Sequence, residues 1–260
     1  MSTILDTIAE YTASRVKDAK KVRSTEYIKR DAYAMDRGQF EFEHALRKEG
    51  LSFILECKKA SPSKGIIAGD YPFSDIAREY EEAGADAISV LTEPHWFLGS
   101  NDHLKVIAEK VKIPVLRKDF TVDEYMIYEA KLLGASAVLL IVSILTEADL
   151  QNYIGICDDL GISALVETHD ENEIRTAIAA GARIIGVNNR NLKDFTVDTD
   201  LSARLRSLIP ENILFVSESG VRSAEDADRI KAIGADAVLV GETMMRAEDK
   251  KSMLKKLRGF

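Results

Sequence analysis

Apolar and polar positions along most of the chain repeat as one unit. A helical segment ends at a Gly-Ala corner and a short apolar run follows, as in EEAGADAISVL, KLLGASAVLLI, AAGARIIGVNN and KAIGADAVLVG. Glycine ends a helix in the left-handed conformation, and an uninterrupted apolar run is typical of a strand buried on both faces. Each copy therefore predicts the helix-to-strand half of a βαβ unit.

Four further apolar runs are also predicted to be strands: the run from Leu51, IPVLRK at 113–118, ISALVE at 162–167 and ILFVSE at 213–218. Helical patterns fall between the strands, near 73–83, 102–111, 123–133, 146–160, 170–180, 199–208 and 223–233, with a last one at 247–258. Alternation of eight strands with eight helices predicts a parallel (β/α)8 barrel, because right-handed crossovers permit few other closures.

Residues ahead of the first strand have apolar positions at helical spacing, such as Ile4, Ile8 and Val16, mixed with many charges. They predict two or three amphipathic helices. We expect one domain, with a helical extension at 1–50 and the barrel at 51–260, since no Pro- or Ser-rich linker divides the chain. An open doubly wound sheet is the alternative. Against it, no GxGxxG follows a strand, and the uniformly apolar strands offer no obvious edge.

Composition and charge narrow the class of partner. The chain has 260 residues, a net charge of -8 and a pI near 5.2, which argues against nucleic acid or an anionic membrane as the main partner. Cys57 and Cys157 have no close Cys or His companion, which argues against a disulfide framework or a zinc site. Neither a basic leader nor a membrane-length apolar run is present, so a cytoplasmic protein is expected. The oligomeric state stays open.

Charged and polar residues stand where the predicted strands end. In a barrel of this kind, active-site groups lie at the carboxyl ends of the strands. Several acids and bases meeting at one barrel mouth would shift each other's pKa values, as acid/base catalysis requires. The strand-end residues are Glu56, Lys58, Lys118, Glu167, Asn188, Glu218, Ser219, Gly241 and Glu242.

The last two strand-to-helix loops have the composition of a phosphate site. SESG at 217–220 precedes a helix start, and LVGET spans 239–243. Such loops offer backbone N–H groups to a phosphate, and glycine permits a close approach. A phosphorylated substrate and a simple turn are equally compatible with these residues alone.

Other polar and aromatic residues have simpler explanations. Arg117 alternates with Lys118, so it should point outward and form a structural ion pair. Cys57 faces away from Glu56 and should pack in the core. The histidines His95, His103 and His169 are expected to be ordinary surface residues, without a spacing suited to metal. The aromatics Trp96, Phe97 and Phe120, in loops after strands, are expected to line a pocket for an apolar ring.

The ordered motifs ECKKASPSKG, SVLTEPHWFLGS, PVLRKDF, LVETH, GVNNRNLKDFTVD, SESG and LVGE resemble the indole-3-glycerol phosphate synthase family of tryptophan biosynthesis. The resemblance runs from about residue 50 to 245, and the helical N-terminal extension is also similar to that of the family. It implies conversion of 1-(2-carboxyphenylamino)-1-deoxyribulose 5-phosphate to indole-3-glycerol phosphate, with loss of carbon dioxide and water and with no cofactor or metal.

The resemblance also implies roles for the strand-end residues. Lys118 resembles the general acid that protonates the ribulose carbonyl, Glu167 its partner in later proton transfers, and Lys58 a second acid that also contacts the substrate anion. Glu56 and Glu218 would position these lysines. The implied substrate contacts are Asn188 and Arg190 for orientation, Phe97, Phe120 and Leu192 around the aromatic ring, Ser61 in a closing loop, and Ser219, Gly220, Gly241 and Glu242 at the phosphate.

Two other functions stay open at this point. Another phosphosugar barrel, such as phosphoribosylanthranilate isomerase, would call for a Cys and Asp pair rather than two lysines. A non-catalytic phosphosugar-binding or scaffold subunit would not need Lys58, Lys118 and Glu167 together. Departures from the family pattern are Leu55 and Cys57 around Glu56, and Met126 where Gln is frequent; they concern packing, since none is a proposed acid or base.

Overall fold

Eight short parallel strands pair in sequence order and close into a barrel in the computed structural model, which describes residues 3–191 and 195–259. The last strand pairs with the first, Ser52 opposite Ala237. The strands are β1 (Ser52–Cys57), β2 (Ala87–Leu91), β3 (Val115–Lys118), β4 (Ala137–Ile141), β5 (Ser163–Thr168), β6 (Ile184–Asn188), β7 (Leu214–Glu218) and β8 (Ala237–Val240). The (β/α)8 prediction is confirmed, and the open-sheet alternative is wrong.

Alternation along the strands produces two apolar clusters. Ile54, Leu116, Leu139 and Leu165 point into the barrel and form its interior cluster. Their neighbours in the strands, such as Val138, pack outward against the helices. Both sides of each strand are thus buried, which explains the continuous apolar runs in the sequence.

Helices cover the outside of the barrel. They are α1 (Ile4–Val22), α2 (Thr25–Ala34), α3 (Glu41–Leu46), α4 (Phe73–Ala83), α5 (Asn101–Lys110), α6 (Glu124–Leu132), α7 (Glu147–Leu160), α8 (Glu171–Ala179), α9 (Leu201–Leu205), α10 (Ala224–Ala232), α11 (Glu242–Arg246) and α12 (Lys250–Leu257). The segment predicted at 199–208 is α9 followed by a 3-10 turn, Arg206–Leu208. The extra helix α11 has five residues, too few for a helical period to be recognised. None of the described helices is both long and apolar enough to cross a membrane.

The N-terminal helices contact both ends of the barrel. Helix α1 lies beside the loops that follow β2 and β3, where the Arg15 guanidinium is 2.8 Å from the Asp119 carboxylate. At the other end, Phe42 and Leu46 of α3 are fully buried in the interior cluster. The Glu43 carboxylate there is 2.9 Å from Arg183, just ahead of β6. The extension therefore closes the bottom of the barrel and supports one side of its mouth.

Candidate active site

A cavity of about 520 Å³ opens at the carboxyl ends of the strands. Most of the residues expected at the site line it: Glu56, Lys58, Ser61, Phe97, Lys118, Phe120, Glu167, Asn188, Arg190, Glu218, Ser219, Gly220, Gly241 and Glu242. Leu192, another of the expected residues, lies outside the described residues. The barrel topology thus brings together side chains that are far apart in the chain.

The centre of the cavity is an ion cluster around Lys118. The Lys118 ammonium is 3.2 Å from the Glu167 carboxylate and 3.8 Å from that of Glu218. Burial alone would lower the pKa of Lys118, but Glu167, Glu218 and Glu56 outweigh it and raise the pKa above its usual range. The group is therefore an ammonium at neutral pH, able to donate a proton to a bound oxygen.

Glu167 at the end of β5 is almost fully buried. Its Oε2 faces Lys118, and its Oε1 accepts a hydrogen bond from Asn188 Nδ2 at 3.1 Å. Burial would raise the pKa of Glu167, but the Lys118 ammonium and the His169 imidazole outweigh it and hold the pKa below its usual range. Glu167 is therefore an ionised carboxylate that can accept a proton.

Glu218 at the end of β7 has the opposite character. Burial, together with the charge of Glu167, raises its pKa to about 8, so the carboxyl is mostly neutral at pH 7. Its Oε1 has no hydrogen-bond partner among the described residues. The carboxyl lies against Gly186 on β6, where any Cβ would collide with it. Glu167 and Glu218 thus have different charge states, a separation typical of acid and base pairs.

Glu56 and Lys58 form a second ion pair at the end of β1, with Lys58 Nζ 2.5 Å from Glu56 Oε1. Gly241, after β8, makes room for it. A Cβ at position 241 would lie 2.5 Å from that carboxylate oxygen and 3.0 Å from the ammonium. The pair therefore lies beside one of the two loops expected at the phosphate.

Asn188 and Arg190 occupy the mouth next to Glu167. Asn188 Oδ1 accepts the backbone N–H of Arg190 at 3.0 Å, which joins the two residues. The Arg190 guanidinium lines the cavity and donates to the Phe195 carbonyl at 3.2 Å. A planar guanidinium at this place suits a carboxylate ligand.

An aromatic wall lies on the side of β2 and β3. The Phe97 and Phe120 rings are 6.0 Å apart and both line the cavity. Buried Glu93 fixes the loop, because its carboxylate accepts the backbone N–H groups of His95, Trp96 and Phe97. The prediction that Trp96 lines a pocket is wrong for this cavity. Its ring instead packs edge-on against Tyr11 of α1, with ring centroids 5.4 Å apart.

The loops after β7 and β8 border the other end of the cavity. Ser219 and Gly220 both have positive φ, 66° and 99°, which favours glycine at the second position. The Glu242 side chain faces Arg246 at 3.1 Å, so only its backbone N–H at the start of α11 is suited to an anion. Arg222 and Arg246 also line the cavity and were missed, because neither lies at a strand end.

The first strand-to-helix loop contributes to the same end of the cavity. Ala60–Ser61 pairs with Gly65–Ile66 as a short antiparallel hairpin, and Ser61 is part of the lining. The ammonium of Lys64 in this loop is 3.9 Å from the Glu242 carboxylate. The hairpin thus borders the same end of the cavity as the loops after β7 and β8.

Three of the simpler explanations are decided by the structure. Arg117 points outward and bonds to Glu129 at 2.7 Å in the helix layer, as predicted. Cys57 is fully buried, and burial raises the pKa of its thiol, so core packing is confirmed. The prediction of an ordinary surface histidine is wrong for His169, whose Nε2 is 3.3 Å from Glu167 Oε1. His169 is two residues after Glu167, so strand alternation could have placed both on one side.

The described residues form no group of three or more His, Cys, Asp or Glu side chains that could bind a metal ion. The donors at the mouth are instead ammonium, guanidinium, amide and backbone N–H groups. They are suited to binding anions and to moving protons.

Comparison with known proteins agrees with the geometry. The model of the family described as "Indole-3-glycerol phosphate synthase" matches residues 5–257. An indole-3-glycerol phosphate synthase from Ruminiclostridium cellulolyticum is 56% identical over 257 residues, covering 98% of this chain and 99% of the relative. One from Lachnoclostridium phytofermentans is 49% identical over 269 residues and covers 99% of both chains.

Solved structures at low identity show the fold alone. A 3-hexulose-6-phosphate synthase from Salmonella typhimurium aligns with a TM-score of 0.63 and 18% identity, covering 80% of this chain and 97% of that one. A thiamine phosphate pyrophosphorylase from Pyrococcus furiosus aligns with a TM-score of 0.62 and 16% identity, covering 84% and 96%. On the family match and the full-length relatives, the chain belongs to the indole-3-glycerol phosphate synthase family.

Proposed function

We propose that this chain closes the indole ring of 1-(2-carboxyphenylamino)-1-deoxyribulose 5-phosphate, releasing carbon dioxide and water to form indole-3-glycerol phosphate. The observation that supports this most is the Lys118 ammonium, 3.2 Å from an ionised Glu167, inside a cavity with an aromatic wall and two glycine loops. Family membership supports the same reaction. The cavity also suits the polarity of this substrate, because the aromatic wall, the Arg190 guanidinium and the two glycine loops match its ring, its carboxylate and its phosphate.

Binding would orient the substrate across the mouth. The ring would pack against Phe97 and Phe120, with Leu192 as a third neighbour from the family resemblance. The carboxylate would face Arg190 and Asn188. The phosphate would lie at the backbone N–H groups of 219–220 and 241–242, with Ser61 above it and Arg222 and Arg246 at the rim.

The first bond then forms between the ring carbon that bears the carboxylate and the ketone carbon. Lys118 donates a proton to the ketone oxygen, which becomes a hydroxyl group. The carbon–carboxylate bond breaks next, and its electron pair restores the aromatic ring as carbon dioxide leaves. The Glu218 carboxyl, 3.8 Å from Lys118, would help to position the ammonium.

Dehydration completes the indole. The hydroxyl leaves as water with a proton from Lys58, which Glu56 positions at 2.5 Å. The methylene carbon between the carbon that bore this hydroxyl and the nitrogen loses a proton to Glu167, and a double bond forms between the two carbons of the five-membered ring. Two protons enter and one leaves, so the reaction consumes one proton in total.

The test is indole fluorescence after addition of this substrate to the purified protein in buffer with a metal chelator. We expect fluorescence to rise, and Lys118→Ala to remove turnover while calorimetry still detects substrate binding. Lys255→Ala, an exposed lysine on α12, is the control and should match the wild type. Binding without turnover by the folded wild-type protein would contradict the proposal and favour a binding subunit.

A further inference from the structure

His169 lies between two carboxylates at the end of β5. Its Nε2 is 3.3 Å from Glu167 Oε1, and its Nδ1 is 3.1 Å from Glu173 Oε2 in the first turn of α8. Glu173 also accepts the backbone N–H of His169 at 2.7 Å, which fixes the ring to the helix. The site described above uses Glu167 but leaves this neighbour without a role.

Strand alternation explains how the ring reaches Glu167. The Thr168 side chain points away from the mouth and donates from its hydroxyl to the Gly186 carbonyl at 2.9 Å. Residues 167 and 169 therefore share the other side of the chain. The His169 side chain is 19% exposed and does not line the cavity, whereas Glu167 does.

The proton arrangement follows from the partners. Ionised carboxylates only accept hydrogen bonds, so a ring nitrogen that faces one is favoured in its protonated form. Both nitrogens of His169 face carboxylates, which favours the imidazolium. Burial alone would lower the pKa of His169, but Glu167 and Glu173 outweigh it and raise the pKa to about 10. Nε2 makes no aligned hydrogen bond, so the contact with Glu167 acts mainly through charge.

Glu167 consequently lies between two cations. Lys118 of β3 approaches Oε2, whereas Asn188 of β6 and His169 approach Oε1. Two further carboxyl groups act on this cluster: Glu218 of β7, which is mostly neutral at pH 7, and Glu56 of β1, whose charge acts on Lys118. Removing His169 would leave Glu167 with one cation and with Oε1 held by a single amide.

We propose that His169 is a positioning residue: its imidazolium, anchored by Glu173, keeps Glu167 ionised and oriented for the proton transfer of dehydration. This inference rests on the proposed function. His169 itself does not contact the reacting atoms in this arrangement, and it acts through Glu167.

The kinetic test compares His169→Ala, His169→Gln and Glu173→Gln with the wild type, measuring kcat and KM separately from about pH 3 to 9, a window that includes the usual carboxyl range and the values below it. We expect His169→Ala to lower kcat by about 10- to 100-fold, since a neighbouring opposite charge is worth about one or more pKa units and each unit is a factor of ten, with KM changed less than about threefold. The acid limb of kcat should move to higher pH, because Glu167 loses a cation that lowers its pKa. His169→Gln should recover part of kcat, but its acid limb should stay at the higher pH, since an amide donor has no charge.

Glu171→Gln is the matched control for Glu173→Gln. It lies on the same helix, but its carboxylate is exposed and pairs with Arg175, so its kinetics should match the wild type. An unchanged kcat and an unchanged pH profile in both His169 variants would overturn the proposal. A fall in kcat in both variants with no movement of the acid limb would also overturn it, since a purely structural role has that result.

Imidazole NMR tests the arrangement without turnover. The chain has four histidines, so His169→Gln assigns the signal by its loss. We expect both ring nitrogens of His169 to be protonated at pH 8, and Glu173→Gln but not Glu171→Gln to lower the pKa of the ring. A neutral His169 at pH 8 would overturn the inference. Absence of wild-type turnover would instead contradict the proposed function, so the two failures are distinguishable.

Discussion

Replacing Glu218 by glutamine should change how the stability of the protein depends on pH. Burial and the charge of Glu167 raise the pKa of this carboxyl from 4.5 to about 8 in the folded state. A group whose pKa is raised in the folded state adds stability that is fully present below its unfolded-state pKa. This stability is lost as the pH rises through its folded-state pKa. Glu218 thus stabilises the fold in its neutral form and destabilises it when ionised.

The magnitude follows from the two pKa values. Between pH 7 and pH 9 the folded carboxyl changes from about nine-tenths to about one-tenth protonated, whereas the unfolded one is ionised throughout. The wild type should therefore lose about 1 kcal/mol through this group, and Glu218→Gln should not. His169, with its pKa raised to about 10, also changes the stability between these pH values, but it is present in both proteins and its contribution is subtracted in the difference.

Thermal unfolding at pH 7 and pH 9 measures this difference. A change of about 1 kcal/mol corresponds to roughly 2–4 °C in Tm for a chain of this size, so Glu218→Gln should gain that much on the wild type at pH 9 relative to pH 7. Glu171→Gln is the control, because its carboxylate is exposed, and its difference from the wild type should stay constant. Parallel pH curves for Glu218→Gln and the wild type would refute a neutral buried Glu218.

Three further substitutions test separate features. Glu167→Gln should lower kcat by at least about 100-fold with a modest change in KM, and near-normal turnover would exclude it as the proton acceptor. Gly241→Ala places a Cβ 2.5 Å from Glu56 Oε1, so the Glu56 carboxylate must move and kcat/KM should fall at least about tenfold. An unchanged kcat/KM with a lowered Tm would contradict this. Arg117→Met removes a cation only 1% exposed, together with its bond to Glu129, and should destabilise the fold by about 3–5 kcal/mol, whereas a Tm near the wild type would show that other contacts compensate.

The barrel fold could be predicted from the sequence because the patterns that indicate it are local. Each Gly-Ala corner marks one helix end and one strand start. The continuous apolar runs argue against a sheet with one solvent-exposed face. The short helix α11 was missed because five residues are too few to show a repeating helical period. The ion pair of Arg15 with Asp119 was also beyond reach, since 104 residues separate its members and nothing in either segment indicates the other.

The site was predictable only as a set of residues at one end of the barrel. Alternation correctly placed Lys118 inward and Arg117 outward, because it depends on a single strand. Contacts between strands depend on register and barrel closure, which one sequence does not indicate. Gly186 illustrates this limit, since it resembles an ordinary strand residue until the Glu218 carboxyl of the neighbouring strand lies against it.

The sign of the charge at the mouth is where the sequence and the structure differ most. By residue type, the expected site has four glutamates against two lysines and one arginine, an acidic balance unsuited to a substrate with a carboxylate and a phosphate. Burial keeps Glu218 mostly neutral at pH 7, and two carboxylates keep His169 cationic. Both changes act in the same direction, and with Lys64, Arg222 and Arg246 also in the lining the cavity has more cationic than anionic side chains. An acidic chain can thus present an anion-binding site, because the charge of a buried group depends on its neighbours as much as on its type.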